Sequence, residues 1–369
     1  MKYDLQNDSE KPIYLQLYEQ LKNDIINGVY PAAGKLPSKR LIGEELGISV
    51  ITVEHAYGLL ADEGYIEAKE RSGYYVAYRE GDIFTAPVAY AGNRNIPADI
   101  HAQTADFPFS VYARTMRKVL SDYGEAILVK SPNNGCPELR LAISDYLARS
   151  RGIDVDPRQI VIGSGAEYLY GLLVEVLGRH RIYALESPSY EKIELVYRAN
   201  GVKCDFLQLG HDGIKSGELA RTAATVLHIT PYRSFPSGVT ASASKRREYI
   251  RWAAQQDRFI VEDDFESEFT LSTKPEDTVF SLADRDNVIY VNTFSKTMAP
   301  SIRIGYMVLP EGLLELFEKK VGFYSCAAPA FEQYVLAEFI ANGDFERHIN
   351  RVRRKMRSIR KQQMADNSR

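Results

Sequence analysis

Cysteine is scarce in this chain. There are three in 369 residues, Cys136, Cys204 and Cys326, far apart and in no C-x-x-C. That usage excludes a disulfide framework and a thiolate zinc site, and it predicts a reducing, cytoplasmic setting. Histidine is also thin: six, scattered, with no H-E-x-x-H, so no metal centre is expected. No segment approaches the roughly 18 consecutive apolar residues of a membrane span. The opening M-K-Y-D-L-Q-N-D-S-E lacks the apolar core of a secretory signal. There is no internal repeat and no low-complexity tract. A strong charge of one sign is missing too, since the net charge is −3. What remains is an ordinary mixture, 45% apolar and 26% charged, in a chain long enough for two or three domains.

Residues 1–78 read as a small helical module ending in a hairpin. Pro12 suits a first helical turn, and Ile13, Leu17, Leu21 and Ile25 recur every four residues. Ser38 can cap a second helix with Leu41, Ile42 and Leu46 on its apolar face. Ser49 can cap a third with Val53, Ala56, Tyr57 and Leu60 inward. Gly47 between them permits the tight turn of a helix-turn-helix. Two extended runs around Glu70–Gly73 would then form a wing. The module carries eight Lys and Arg against twelve Asp and Glu, so it has no global electrostatic footprint for DNA. Positive charge is local, at Lys35, Lys39 and Arg40 and at Lys69 and Arg71 of the hairpin. A few cations with helix N-termini and hydroxyls suffice to hold phosphates. A small helical interaction domain with solvated charges is the competing reading.

Residues 79–104, with Gly81, Pro87, Gly92 and Pro97, show no sustained period and read as a linker. From 105 to 369 apolar extended runs alternate with helical stretches. The strands are expected at 159–162, 181–185, 203–207, 225–229, 259–262, 287–291 and 304–309, the signature of an α/β domain with a mostly parallel sheet. Ligands in such sheets sit at the strands' carboxyl ends. Those ends hold Gly163-Ser164-Gly165-Ala166, a possible anion cup; Tyr190; the loop Thr230–Gly238; Glu262-Asp263-Asp264; and Ser295-Lys296, with Arg303 seven residues on. Adjacent carboxylates at a strand end cannot share one face, so at most one aims into the cleft with full effect. Each feature alone has a bland reading as a turn, a core ring or a surface charge. Together they are what pyridoxal 5'-phosphate (PLP) requires: N–H donors and an arginine for its phosphate, a carboxylate for its pyridine nitrogen, and a lysine for its aldehyde.

Two resemblances bear on this layout. The stretch P-I-Y-L-Q-L…G-K-L-P-S-K-R-L…L-G-I-S-V-I-T-V-E-H-A-Y resembles the winged-helix domain of GntR-type bacterial transcription regulators. It implies that Ser38, Arg40, Ser49 and Thr52 contact phosphates, with Lys35 and Arg71 nearby, and that the third helix reads bases of a double-stranded operator. The family usually has Arg where Val50 stands, which removes a possible bidentate contact. The larger part, through I-V-I-G-S-G-A, I-V-E-D-D-F-E-S-E-F and T-F-S-K…P-S-I-R-I-G-Y, resembles the fold-type I aminotransferase-like body of MocR-type regulators. By that resemblance Lys296 is the Schiff-base lysine and Asp263 pairs with the pyridine nitrogen. Arg303 and Ser295, with the N–H groups of Gly165 and Ala166, hold the phosphate, and Tyr190 stacks on the ring.

There are departures. Phe265 replaces a tyrosine whose hydroxyl lies near the cofactor's phenolic oxygen. Arg233 and Ser234 replace His and Gln. The small C-terminal domain expected after about residue 357 is largely missing, so the chain reads as a truncated copy, with a short regulator bearing a basic tail as the alternative. The implied function is a homodimeric transcription regulator that senses PLP or its adduct with an amine or amino acid. The alternatives are a PLP-dependent aminotransferase with an appended head, and a degenerate regulator that no longer holds PLP.

Overall fold

The computed structural model describes residues 3–6, 11–69, 72–78, 107–255, 257–265, 267–270, 276–283 and 286–366. The expected linker and Arg71 lie outside the described residues. The chain divides into two compact units, Met1–Asn95 and Ile96–Arg369.

The first unit holds helices α1 (Ile13–Ile26), α2 (Lys39–Leu46) and α3 (Val50–Asp62) and an antiparallel hairpin of β1 (Ile66–Lys69) and β2 (Gly73–Val76). Leu17, Leu21, Ile25, Val53, Ala56, Tyr57 and Leu60 meet in one core, as their four-residue spacing requires. Ser38 Oγ accepts from Leu41 N–H at 3.2 Å, and Ser49 Oγ accepts from Thr52 N–H at 3.1 Å, so both serines cap their helices. Leu41 departs from the expected apolar face. Ile42 takes the buried position and Leu41 is exposed, because an eight-residue helix turns too narrow a stripe to the core for both neighbours.

The second unit is built on a seven-stranded sheet of β3 (Ile160–Gly163), β4 (Ile182–Ser187), β5 (Lys203–Gln208), β6 (Val226–Ile229), β7 (Phe259–Asp263), β8 (Val288–Thr293) and β9 (Gly305–Val308). The order is β3-β9-β8-β7-β6-β4-β5, parallel except that β9 runs against both its neighbours. Strand alternation feeds cores on both faces of the sheet. Ile160, Ile162, Tyr290 and Val308 face one helical layer, which includes α4 (Phe109–Tyr123) and α5 (Pro137–Arg151). Val161, Ile289, Val291 and Met307 face the other, which includes α6 (Ala166–Leu177). Each expected strand is present, with ends shifted by at most two residues.

Register decides what meets at the carboxyl edge. Asp263 lies beside Val291, Thr293 beside Gly305, and Gly163 beside Gly305. A Cβ on Gly305 would come within 3.0 Å of Asn292 O and 3.2 Å of the Gly165 carbonyl carbon. Glycine at 305 therefore lets the turn before α6 close over the end of β8.

Candidate cofactor site

A cavity of about 270 Å³ opens at that edge, lined by residues that include Ala166, Tyr170, Tyr190, Asp263, Ser295, Lys296 and Arg303. Six of the seven expected cofactor residues line it, and the seventh, Gly165, lies against Arg303. Lys296 sits in a single turn, Phe294–Thr297, directly after β8. That turn is fixed from below. Thr293 Oγ1 accepts from Ser295 N–H at 3.3 Å, and Ser295 Oγ donates to Ile302 O at 2.8 Å.

Among the three adjacent acids, Asp263 is the one that lines the cavity. All three are buried, and the other two are engaged elsewhere. Glu262 accepts the N–H groups of Val279 (2.8 Å) and Phe280 (2.7 Å). Asp264 accepts the Tyr290 hydroxyl at 2.6 Å and faces Arg151. Asp263 Oδ2 accepts the hydroxyl of Tyr170, whose ionisation is pushed well up, first by burial and then by the Asp263 charge. His228 Nε2 stands 3.7 Å from the same oxygen, beyond hydrogen-bond reach, and its Nδ1 meets Tyr197 Oη at 2.8 Å. Asp263 Oδ1 is buried with no hydrogen-bond partner among the described residues.

Buried acceptors are rarely left unpaired, because the lost hydration is not replaced. An N–H donor from a bound ring would satisfy Oδ1, so the acidic end fits a protonated pyridine nitrogen. At the opposite end Gly165 holds φ +87° as the residue before α6. A Cβ there would sit 2.9 Å from Arg303 Nη2. Glycine thus admits a guanidinium onto the first turn of a helix, a cradle suited to a phosphate. Tyr190, with Phe235 at 6.1 Å between ring centroids in an edge-to-face pair, provides an aromatic wall. The residues present fit PLP.

The altered positions fall differently. Phe265 lines the cavity and offers no donor there. Ser234 is buried and spends its hydroxyl on Glu186 Oε2 at 2.5 Å. Arg233 is exposed, at φ +50°. Sequence reasoning missed Tyr170, Glu167, Phe235 and His228. For two of them there was a signal. Glu167 and Tyr170 are three apart on α6, one turn into the helix that Gly165 opens, and so share a face.

In the first unit Lys35, Ser38, Arg40, Ser49 and Thr52 are exposed or half-exposed. Lys35 bridges to Tyr75 of the hairpin and places its Nζ 5.9 Å from that ring's centroid. Lys39 is neutralised by Glu54 at 2.6 Å.

Comparison with known proteins completes the assignment. The model of the bacterial regulatory proteins of the gntR family matches residues 13–76, and that of aminotransferase class I and II matches residues 107–366. The probable rhizopine catabolism regulatory protein MocR of Rhizobium meliloti is 31% identical over 95% of this chain and 76% of its own length. The chain belongs to the MocR-type regulators of the GntR family. Another relative, the HTH-type transcriptional regulator YdeL of Bacillus subtilis strain 168, is 34% identical over 95% of this chain and 78% of its own length. Among solved structures, a Pyrococcus horikoshii kynurenine aminotransferase complexed with PMP superposes with a TM-score of 0.63 at 26% identity. That match covers 68% of this chain and 65% of the enzyme. The larger unit of this MocR-type chain therefore has the fold of a fold-type I aminotransferase. Among the described residues, no helix is long and apolar enough to cross a membrane.

Proposed function

We propose that the chain is a DNA-binding transcription regulator that binds PLP at Lys296 and uses the cofactor, or its adduct with an amine or amino acid, to change how it holds an operator. The observation that carries this reading is the unpartnered, buried Asp263 Oδ1 in the same cavity as Lys296 and Arg303. When bound, PLP supplies an electrophilic aldehyde on an electron-withdrawing ring. The chain's own residues do the rest. Asp263 keeps the pyridine nitrogen protonated, and Tyr170 fixes the carboxylate that does so. Arg303 and the N–H groups of Gly165 and Ala166 hold the phosphate, and Ser295 joins them by turning its hydroxyl away from Ile302 O. Tyr190 covers one face of the ring, and Lys296 offers its amine to the aldehyde.

In the first unit Ser38, Arg40, Ser49 and Thr52, with Lys35 and Arg71, hold operator phosphates while α3 meets the bases. The chain acts as a homodimer, with one head for each half-site. Exposed Phe109, Leu120, Leu128 and Val129, close together in sequence, support pairing with a second copy. Ligand enters as a bias between two arrangements of the heads.

The test is an absorbance titration with PLP, borohydride reduction and peptide mapping, followed by operator mobility shifts. PLP is expected to be trapped at Lys296 in the wild type and not in Lys296→Ala, and operator binding is expected to respond to PLP only in the wild type. Equal operator binding with and without PLP in both proteins would sink the coupling.

A further inference from the structure

Glu167 belongs to no motif, yet its carboxylate lies where an anion is wanted. It sits in the first turn of α6, beside the Gly165 cradle, and lines the same cavity as Ser295 and Lys296. Arg303 Nη2 donates to Glu167 Oε2 at 2.5 Å. Lys192 Nζ lies 3.6 Å from Oε1. The carboxylate belongs to the first turn of the helix, where backbone N–H groups have no partner within the helix. An arginine and a helix-start N–H are the donors a phosphate would use in this cradle. So an anion already sits on the phosphate donors, while the other end of the cavity keeps an unpaired acceptor in the buried Asp263. The Glu167 side chain is 32% exposed and that of Arg303 49%, so the pair can open into solvent without breaking the core.

We propose that Glu167 is an internal competitor for the phosphate end of the cleft, occupying Arg303 until a phosphorylated ligand displaces it. This rests on the PLP-binding reading for its biological meaning but not for its test. Arg303 has five N–H donors, but those turned to Glu167 are not free for a phosphate while the pair holds. A carboxylate that stays nearby repels the phosphate dianion. Binding therefore includes the opening of the Glu167–Arg303 pair, which lowers affinity and speeds release. A regulator that reports the concentration of its ligand gains from such exchange, whereas an enzyme that keeps its cofactor does not.

The experiment compares wild type with Glu167→Gln, which keeps shape and removes charge. Dissociation constants are measured for PLP and for pyridoxal by absorbance, and for inorganic phosphate by calorimetry. The expected result is that Glu167→Gln binds PLP and inorganic phosphate about tenfold more tightly, a change equal to about 1.4 kcal/mol, with pyridoxal unchanged. PLP and phosphate constants within twofold of the wild type overturn the proposal. So does an equal gain for pyridoxal, which has no phosphate. If neither protein binds PLP, the reading of the site as a PLP sensor fails. The phosphate titration then still decides the competition, tighter binding supporting it and unchanged binding overturning it.

Discussion

Glu186 closes β4 with its carboxyl buried at 4% exposure. Burial pushes that carboxyl up to about 8 from an ordinary 4.5, and the Asp263 charge adds to the rise, against the lowering hydrogen bonds from Ser234 and the Thr230 backbone. An acid raised in the native state holds its proton where the unfolded chain has released it. The native state then binds more protons than the unfolded one between about 4.5 and about 8, so stability falls as pH rises through that window. Glu262, pushed up to about 8 mainly by burial, contributes in the same direction. Glu186→Gln mimics the protonated form and removes Glu186's share. Thermal melts at pH 6 and pH 8 are expected to show a smaller loss for the variant than for the wild type, and an equal loss would show that Glu186 is ionised across the range. None of this was legible in the sequence, where Glu186 was one letter in E-S-P-S-Y. Its state depends on Ser234, 48 residues away. Lys296 and Arg303 were legible for the opposite reason: their geometry is set within one strand, one turn and the next strand.

The strand β7 shows how far an element can be read. Its apolar run and the acids after it were plain, and alternation alone limited the cleft to Asp263 or to its two neighbours on the other face, Glu262 and Asp264. Which face was not derivable from spacing, because the deciding partners are remote. Glu262 is consumed by Val279 and Phe280, and Asp264 by Tyr290 and by Arg151 at the end of α5. Resemblance chose Asp263, and it is Asp263 that faces the cavity. The Arg151 guanidinium lies 3.0 Å from Asp264 Oδ2 as an ion pair whose angle falls short of a hydrogen bond. Both side chains are nearly fully buried, 4% and 3% exposed, so the pair ties a helix end to a strand end beside the site. Arg151→Met would leave Asp264 charged in the interior at a cost of about 3–5 kcal/mol. The expected consequence is a fall in melting temperature on the order of 10 °C for a unit of this size. Adding Asp264→Asn to Arg151→Met should recover part of that loss, since position 264 then carries no unpaired charge. A single variant that melts within a degree of the wild type, or a double variant no better than the single, would show that the pair does not fasten α5 to β7.

At the scale of the whole molecule the two units carry different chemistry on one nearly neutral chain. The net charge is −3, and residues 1–78 alone hold eight basic against twelve acidic residues. A DNA-binding head with that balance cannot rely on a broad positive field, so each well-placed cation carries a large share of the attraction. Two of the local cations are already committed. Lys39 pairs with Glu54, and Lys69 pairs with Glu67 at 3.0 Å. Val50, exposed at the first position of α3, adds no charge where the family usually has Arg. On the proposed reading Arg40, exposed on α2 with no ion pair among the described residues, is a phosphate anchor of the head together with Lys35. Arg40→Ala is therefore expected to weaken operator binding and to lower the slope of log K against log salt by about 0.9 per head. A contact to the DNA backbone carries no sequence information, so on that reading the loss should be nearly equal for the operator and for a scrambled duplex. Fluorescence anisotropy at several salt concentrations on both duplexes measures this. An unchanged slope, or a loss confined to the operator, would move Arg40 from holding phosphate to reading bases, and would make the capped start of α3 at Ser49 and Thr52 the main anchor of an otherwise acidic head.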